Sequence, residues 1–199
     1  IFSIFITSSL ISLITTKYGL KIFKKLNLFQ NIRNDGPSIH QNKINTPTLG
    51  GIFIILPFLL LLLIISNNSD SFGISLLFFC TLGFFIIGFL DDYLSIKNSK
   101  NTGLRSHEKF ISQTCVSILF ITLAFQSNYI NSVITITNSW SIDTGLIILP
   151  ICFLTLVGLS NAVNLTDGLD GLASGCSSIV FFGLGTEIFI KNERELIIY

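Results

Sequence analysis

The sequence predicts an all-α fold: a polytopic integral membrane helical bundle, with about six transmembrane helices in these 199 residues. Three observations point there. Half the residues are apolar (50%), 12% are charged, and the mean hydropathy is +0.73, far oilier than a soluble domain. Apolar runs of membrane-spanning length recur along the chain. Between them, Lys and Arg gather in alternate connections.

A bilayer-spanning helix needs about 20 mostly apolar residues. The candidate spans fall at about 1–16, 49–65, 72–90, 110–127, 145–160 and 168–188. Pro57 and Pro150 lie inside or at the edge of spans, which membrane helices tolerate. All belong to one membrane domain, 1–199. The chain lacks Met, opens on Ile1 and stops at "ELIIY", the start of another apolar run. It is therefore expected to be an internal piece of a longer protein, truncated at both ends. Cys80, Cys115, Cys152 and Cys176 each sit alone in an apolar stretch and read as small buried hydrophobes, not as a zinc or disulfide framework.

Orientation follows from the basic residues. Ten of the twelve fall in two connections: Lys17, Lys21, Lys24, Lys25, Arg33 and Lys43, then Lys97, Lys100, Arg105 and Lys109. The second and fourth connections, "SNNSDS" and "NYINSVITITNSWSID", hold none. The positive-inside rule places the first and third in the cytoplasm, and alternation puts the fifth, "NAVNLTDGLDG", beside them. Lys191 and Arg194 are a mild exception, lying on the opposite side among three glutamates. The net charge of +1 says nothing about partners until the charges are placed, and no nucleic-acid partner is expected.

Three polar connections thus converge on one membrane face. In "NKINTPTLGG", Lys43, Thr46 and Thr48 offer a cation and two hydroxyls at the membrane edge, suited to a phosphate. Read alone, Lys43 is better taken as a topology lysine and the threonines as helix caps. In "GFLDDY", Asp91 and Asp92 stand where an apolar helix meets water. Adjacent helical residues point about 100° apart, so only one aims straight at a shared centre and the other is left for a second group or for base chemistry. Paired carboxylates repel unless a cation neutralises them, and oxygen-only ligands suit Mg²⁺. A solvated pair ending a helix is the plain alternative.

"NAVNLTDGLDGLASG" carries the strongest signal. Asp167 and Asp170 would share one helical face, and Asn161 and Asn164 add neutral donors and acceptors upstream. A helix cap accounts for Asp167 but not for Asp170, deeper in an apolar run. A carboxylate at a bilayer centre costs roughly 2.5–3.5 kcal/mol on insertion scales, so such residues default to function.

The order "DGPSIH", "TPTLGG", "GFLDDY" and "NAVNLTDGLDGLASG" resembles the polyprenyl-phosphate N-acetylhexosamine-1-phosphate transferases (the glycosyltransferase 4 family), and within them the muramoyl-pentapeptide branch. The resemblance implies a ten-helix enzyme of the inner (plasma) membrane with a cytoplasmic active site. Such an enzyme moves phospho-MurNAc-pentapeptide from UDP-MurNAc-pentapeptide onto undecaprenyl phosphate. It gives lipid I and UMP and requires Mg²⁺. The resemblance assigns Asp91 and Asp92 to catalysis, one as the base for the lipid phosphate, with both as metal ligands beside a main Mg²⁺ ligand beyond Tyr199. It assigns Lys43, Thr46, Thr48, Lys109, Asn161, Asn164, Asp167 and Asp170 to substrate binding. Membrane lipids and a homodimer are the further partners it implies, and the 199-residue piece alone is expected to be inactive. Asn45, Leu49, Ser95 and Thr102 depart from the family pattern, where Gly, Met, Lys and Lys are usual.

Two other readings compete. The sister branch transfers N-acetylglucosamine phosphate and differs in cytoplasmic loops. A cation-coupled transporter would bury its carboxylates near mid-membrane, whereas these cluster at one face. CDP-alcohol phosphotransferases need further aspartates after the "DG" motif, and residues 171–186 contain no acidic residue.

Overall fold

The computed structural model describes residues 2–26, 29, 47–66, 71–98, 103–137, 140–167 and 171–197. Six helices are present among them: α1 (Phe2–Lys25), α2 (Ile52–Ser66), α3 (Ser71–Lys97), α4 (Ser106–Gln126), α5 (Ile148–Thr166) and α6 (Leu172–Ile197). A two-stranded antiparallel ribbon, β1 (Val133–Thr137) and β2 (Trp140–Asp143), joins α4 to a 3-10 turn, Gly145–Ile147, that leads into α5. The chain divides into two compact units, Ile1–Phe153 and Leu154–Tyr199.

Four described helical segments are long and apolar enough to cross a membrane: Ser71–Lys97, Ser106–Gln126, Gly145–Thr166 and Leu172–Ile190. α2 is a shorter apolar helix. The protein is therefore a helical membrane protein, with large apolar side chains turned outward. Phe79 and Leu119 are 67% and 62% exposed, an arrangement that suits hydrocarbon and not water.

In the first unit α1, α2, α3 and α4 pack in sequence order. Leu59, Leu62, Leu76, Ile87, Ile121 and Ala124 are buried along these contacts. Close approach is needed where α3 meets α4. A Cβ added at Gly83 would stand 2.8 Å from Val116 Cγ1, so only hydrogen fits there without a shift.

Pro57 lies inside α2 and cannot donate to the carbonyl of Phe53, four residues earlier. Thr15 of α1 approaches that carbonyl with its hydroxyl at 3.1 Å. Thr15 Oγ1 also lies 2.9 Å from Ile11 O and 3.0 Å from Ser12 O, but one proton serves one acceptor at a time. Of the three, Phe53 is the carbonyl that proline has deprived of its usual helical donor. The neighbouring helix thus repairs the break, and Phe23 packs on Phe53 beside it with ring centroids 4.9 Å apart.

Two features differ from the sequence-based expectation. The fourth connection, given no strand in the all-α expectation, folds into the β1–β2 ribbon, with Ile134 opposite Ile142 and Thr135 opposite Ser141. The five β-branched residues of "VITIT" supply the strand preference. The last helix starts at Leu172, not at 168, because Gly171 adopts a φ of +82° and interrupts the helical path.

Candidate active site at the end of α3

α3 has 27 residues and so runs for about 40 Å at 1.5 Å per residue, longer than the roughly 30 Å hydrocarbon core. Asp91 and Asp92 lie about 30 Å from its start, at the far membrane boundary. The short connection to α4 turns the chain back, so the first turn of α4 lies beside these carboxylates.

Asp91 is fully engaged. Lys109, in the first turn of α4, places Nζ 2.8 Å from Asp91 Oδ2, with the two side chains only 18% and 24% exposed. The Leu104 amide donates to Asp91 Oδ1 at 2.9 Å. One carboxylate therefore meets an ammonium and a backbone N–H, both charge-assisted contacts of the stronger kind. The connecting segment is held in turn by Glu108, whose carboxylate accepts from the Arg105 N–H at 2.9 Å, half of a capping box that begins α4.

Gly103 makes this geometry feasible. A Cβ there would collide with the Asp91 carbonyl oxygen and stand 2.6 Å from both the carbonyl carbon and Oδ1. The chain passes over Asp91 at a distance that no side chain allows.

Asp92 points elsewhere. Its Oδ2 is 3.4 Å from the Thr48 hydroxyl, at the long limit of a hydrogen bond, and the residue is exposed. Thr48 is carried on the approach to α2, where Leu49 adopts a φ of +65°. A left-handed conformation costs a non-glycine residue on the order of 1–2 kcal/mol. Leu49 is 7% exposed, and burying a Leu side chain contributes about 1.5–3 kcal/mol, so burial offsets the strain. The strained turn delivers Thr48 to Asp92.

The structure thus brings together Asp91, Asp92, Thr48 and Lys109 of the expected site residues. Lys43, Thr46 and Asp170 lie outside the described residues. Asn161, Asn164 and Asp167 belong to the second unit. There, Asn161 Nδ2 donates to the Val157 carbonyl one turn earlier at 2.8 Å, and Asn164 is exposed. Asp167 follows the last residue of α5, its amide still bonded to Val163 O at 3.1 Å. The expected pairing of Asp167 with Asp170 on one face lies outside the described residues. Gly103 and Leu104 act in the site without having been singled out as site residues. A glycine's steric role and a backbone amide leave no mark in residue chemistry. Among the described residues no group of three or more His, Cys, Asp or Glu side chains is placed to hold a metal.

A sequence model of glycosyl transferase family 4 matches residues 74–199, a stretch that holds Asp91, Asp92 and Lys109. The chain belongs to glycosyl transferase family 4. Among curated relatives it is 72% identical over its whole length to the phospho-N-acetylmuramoyl-pentapeptide-transferase of Prochlorococcus marinus subsp. pastoris (strain MED4). It is 69% identical over 199 residues to the protein of that name from Prochlorococcus marinus strain MIT 9515, and 38% identical over 186 residues to that of strain MIT 9313. The chain spans 55% of the length of the first two relatives and 50% of the third. The family match covers α3 to α6, and the whole-length relatives carry the similarity back through Thr48.

Proposed function

We propose that the full-length protein transfers phospho-MurNAc-pentapeptide from UDP-MurNAc-pentapeptide to undecaprenyl phosphate, giving lipid I and UMP, on the cytoplasmic face of the plasma membrane. Membership of the family and the names of its relatives support the reaction class. The observation that carries the residue roles is the division of labour between neighbours: Asp91 is held by Lys109 and Leu104, while Asp92 stays exposed at the membrane edge.

In this reading an oxygen of the lipid phosphate attacks the phosphorus bonded to the sugar. A new P–O bond forms, the P–O bond to UMP breaks, and UMP leaves with the electron pair. Asp92 accepts the proton of the lipid phosphate, a general-base contribution of about 10²–10⁴-fold. Thr48 orients Asp92. Lys109 positions Asp91 and keeps the second negative charge from repelling the incoming phosphate. Lys43, Thr46, Asn161, Asn164, Asp167 and Asp170 belong to the nucleotide side of the site. Mg²⁺ fits the Asp92 carboxylate, which is exposed beside a hydroxyl, with the remaining oxygen ligands coming from phosphates and water. Bound there, it would neutralise charge on the diphosphate; Asp91, taken up by an ammonium and an amide, suits that task less.

The test is UMP release by the full-length protein in membranes, with UDP-MurNAc-pentapeptide and undecaprenyl phosphate supplied. Asp92→Asn should lower the rate at least 10²-fold. A near wild-type rate would overturn the assignment, and turnover with UDP-N-acetylglucosamine instead would favour the sister branch.

A further inference from the structure

The β1–β2 ribbon has two chemically different faces. Cross-strand partners lie on the same face, and residues two apart along a strand share it. Ile134 pairs with Ile142, and Trp140 lies two residues from Ile142, so these three define an apolar face. Val133, Thr135, Ser141 and Asp143 occupy the other, where polar groups predominate. Ile134, Ile142 and Trp140 are 39%, 43% and 60% exposed. An isolated two-stranded ribbon is marginal in water and needs its apolar face covered.

The ribbon's position says what covers it. Its base is clamped: the Thr144 amide and hydroxyl both donate to the Ser132 carbonyl, at 2.9 Å and 2.7 Å, and the Gly145 amide donates to Asp143 Oδ1 at 2.9 Å. Tyr129, just before β1, stacks on Phe72 at the start of α3 with centroids 6.1 Å apart. The base therefore stands where α3 begins and α4 ends. On its other side the surface turns apolar at once, with Leu146 and Ile147 at 72% and 65% exposed on the way into the next span. Exposed apolar side chains of the next span thus begin within three residues of the clamp at Thr144. Residues 127–144 carry neither Lys nor Arg, and the one acidic residue, Asp143, lies on the polar face. An aromatic ring with a polar edge, flanked by aliphatic side chains and free of charge, is the composition that settles at headgroup depth.

We propose that the ribbon lies flat in the bilayer interface on the face opposite the active site, with Ile134, Trp140 and Ile142 immersed in lipid and Thr135, Ser141 and Asp143 turned to water. Its occupant is the lipid surface. The ribbon so anchored fixes the depth at which the 3-10 turn and α5 enter the membrane.

The orientation can be measured because Trp140 is the only tryptophan among these 199 residues. At about 3.3 Å per residue it stands some 13 Å from the clamp at Thr144, so an upright ribbon would hold it well out in water. The experiment reconstitutes the full-length protein in phosphatidylcholine and phosphatidylglycerol vesicles. It takes the fluorescence difference between wild type and Trp140→Phe, which isolates this ring. The expected result is strong quenching by lipids brominated high on the acyl chain, with iodide quenching reduced at least about fivefold relative to a free tryptophan analogue. The double variant Ile134→Ser, Ile142→Ser should lose most of the lipid quenching while circular dichroism keeps the helical signal. Free access to iodide without lipid quenching would overturn the proposal. So would shielding from both quenchers, which would mean that protein covers this face.

Discussion

Replacing Gly103 by Ala tests how closely the site depends on one backbone crossing. The added methyl would overlap the Asp91 carbonyl oxygen and sit 2.6 Å from its carbonyl carbon, whereas real Cβ contacts keep beyond 3.0 Å. Asp91 belongs to α3 and its backbone is fixed by helical hydrogen bonds, so the 103–105 segment must retreat by about 1 Å. That motion carries the Leu104 amide away from its 2.9 Å bond to Asp91 Oδ1. Losing a hydrogen bond to a charged group costs about 1.5–3 kcal/mol. A 1 Å misplacement of a catalytic constellation costs on the order of 10²-fold in rate. Gly103→Ala should therefore lower UMP release by the full-length protein about 10²-fold and reduce its thermal stability in detergent. Gly88→Ala is the control: it lies on α3, three residues before Asp91, with open space where its Cβ would go, and should be neutral or slightly stabilising. Equal behaviour of the two variants would refute the steric reasoning.

Other perturbations follow from the same geometry. Lys109→Met leaves the Asp91 carboxylate, 24% exposed, without its cation and should cost about 1–3 kcal/mol in detergent unfolding; an unchanged midpoint would show that the pair does not hold the site. Thr15→Val removes the hydroxyl from the Phe53 carbonyl and should cost about 0.6–1.7 kcal/mol with UMP release unchanged, while Thr15→Ser should behave as wild type. At the ribbon base the Asp143 carboxyl is held below the usual carboxylate range, chiefly by the Gly145 amide and next by the Ser132 hydroxyl. A depressed folded-state pKa adds stability above the unfolded value of about 3.9, and this is lost as pH falls through the folded value. Trp140 emission should thus stay flat from about pH 7 to about pH 4 and change only in stronger acid; a transition centred above about pH 5 would contradict this.

The helices were legible because membrane spans announce themselves through composition. The divergence of Asp91 and Asp92 was legible as well, since it follows from the 100° step between helical neighbours. Their partners were not. Lys109 meets Asp91 from 18 positions away, through a chain reversal that charge patterning alone does not specify. Gly103 reads as an ordinary loop glycine until the backbone it crosses is known. The same holds for Thr15, whose task is set by Pro57 on another helix. The ribbon left a trace in its run of β-branched residues, but this connection enters the topology only through its lack of basic residues. Where α5 stops, at Thr166, is likewise not revealed by the spacing of the acidic residues.

The division of labour between the two adjacent carboxylates is tested most directly by comparing Asp91→Asn with Asp92→Asn in the full-length protein, reading UMP release and unfolding temperature on the same samples. Asp92→Asn should abolish release and leave the unfolding temperature within about 1 °C, because its bond to Thr48 is long and an asparagine oxygen can still accept from Thr48 and from the Leu49 amide. Asp91→Asn should lower both, because it breaks the contact with Lys109. Release that survives in Asp92→Asn, or an unfolding temperature that Asp91→Asn leaves untouched, would contradict the roles assigned to the pair.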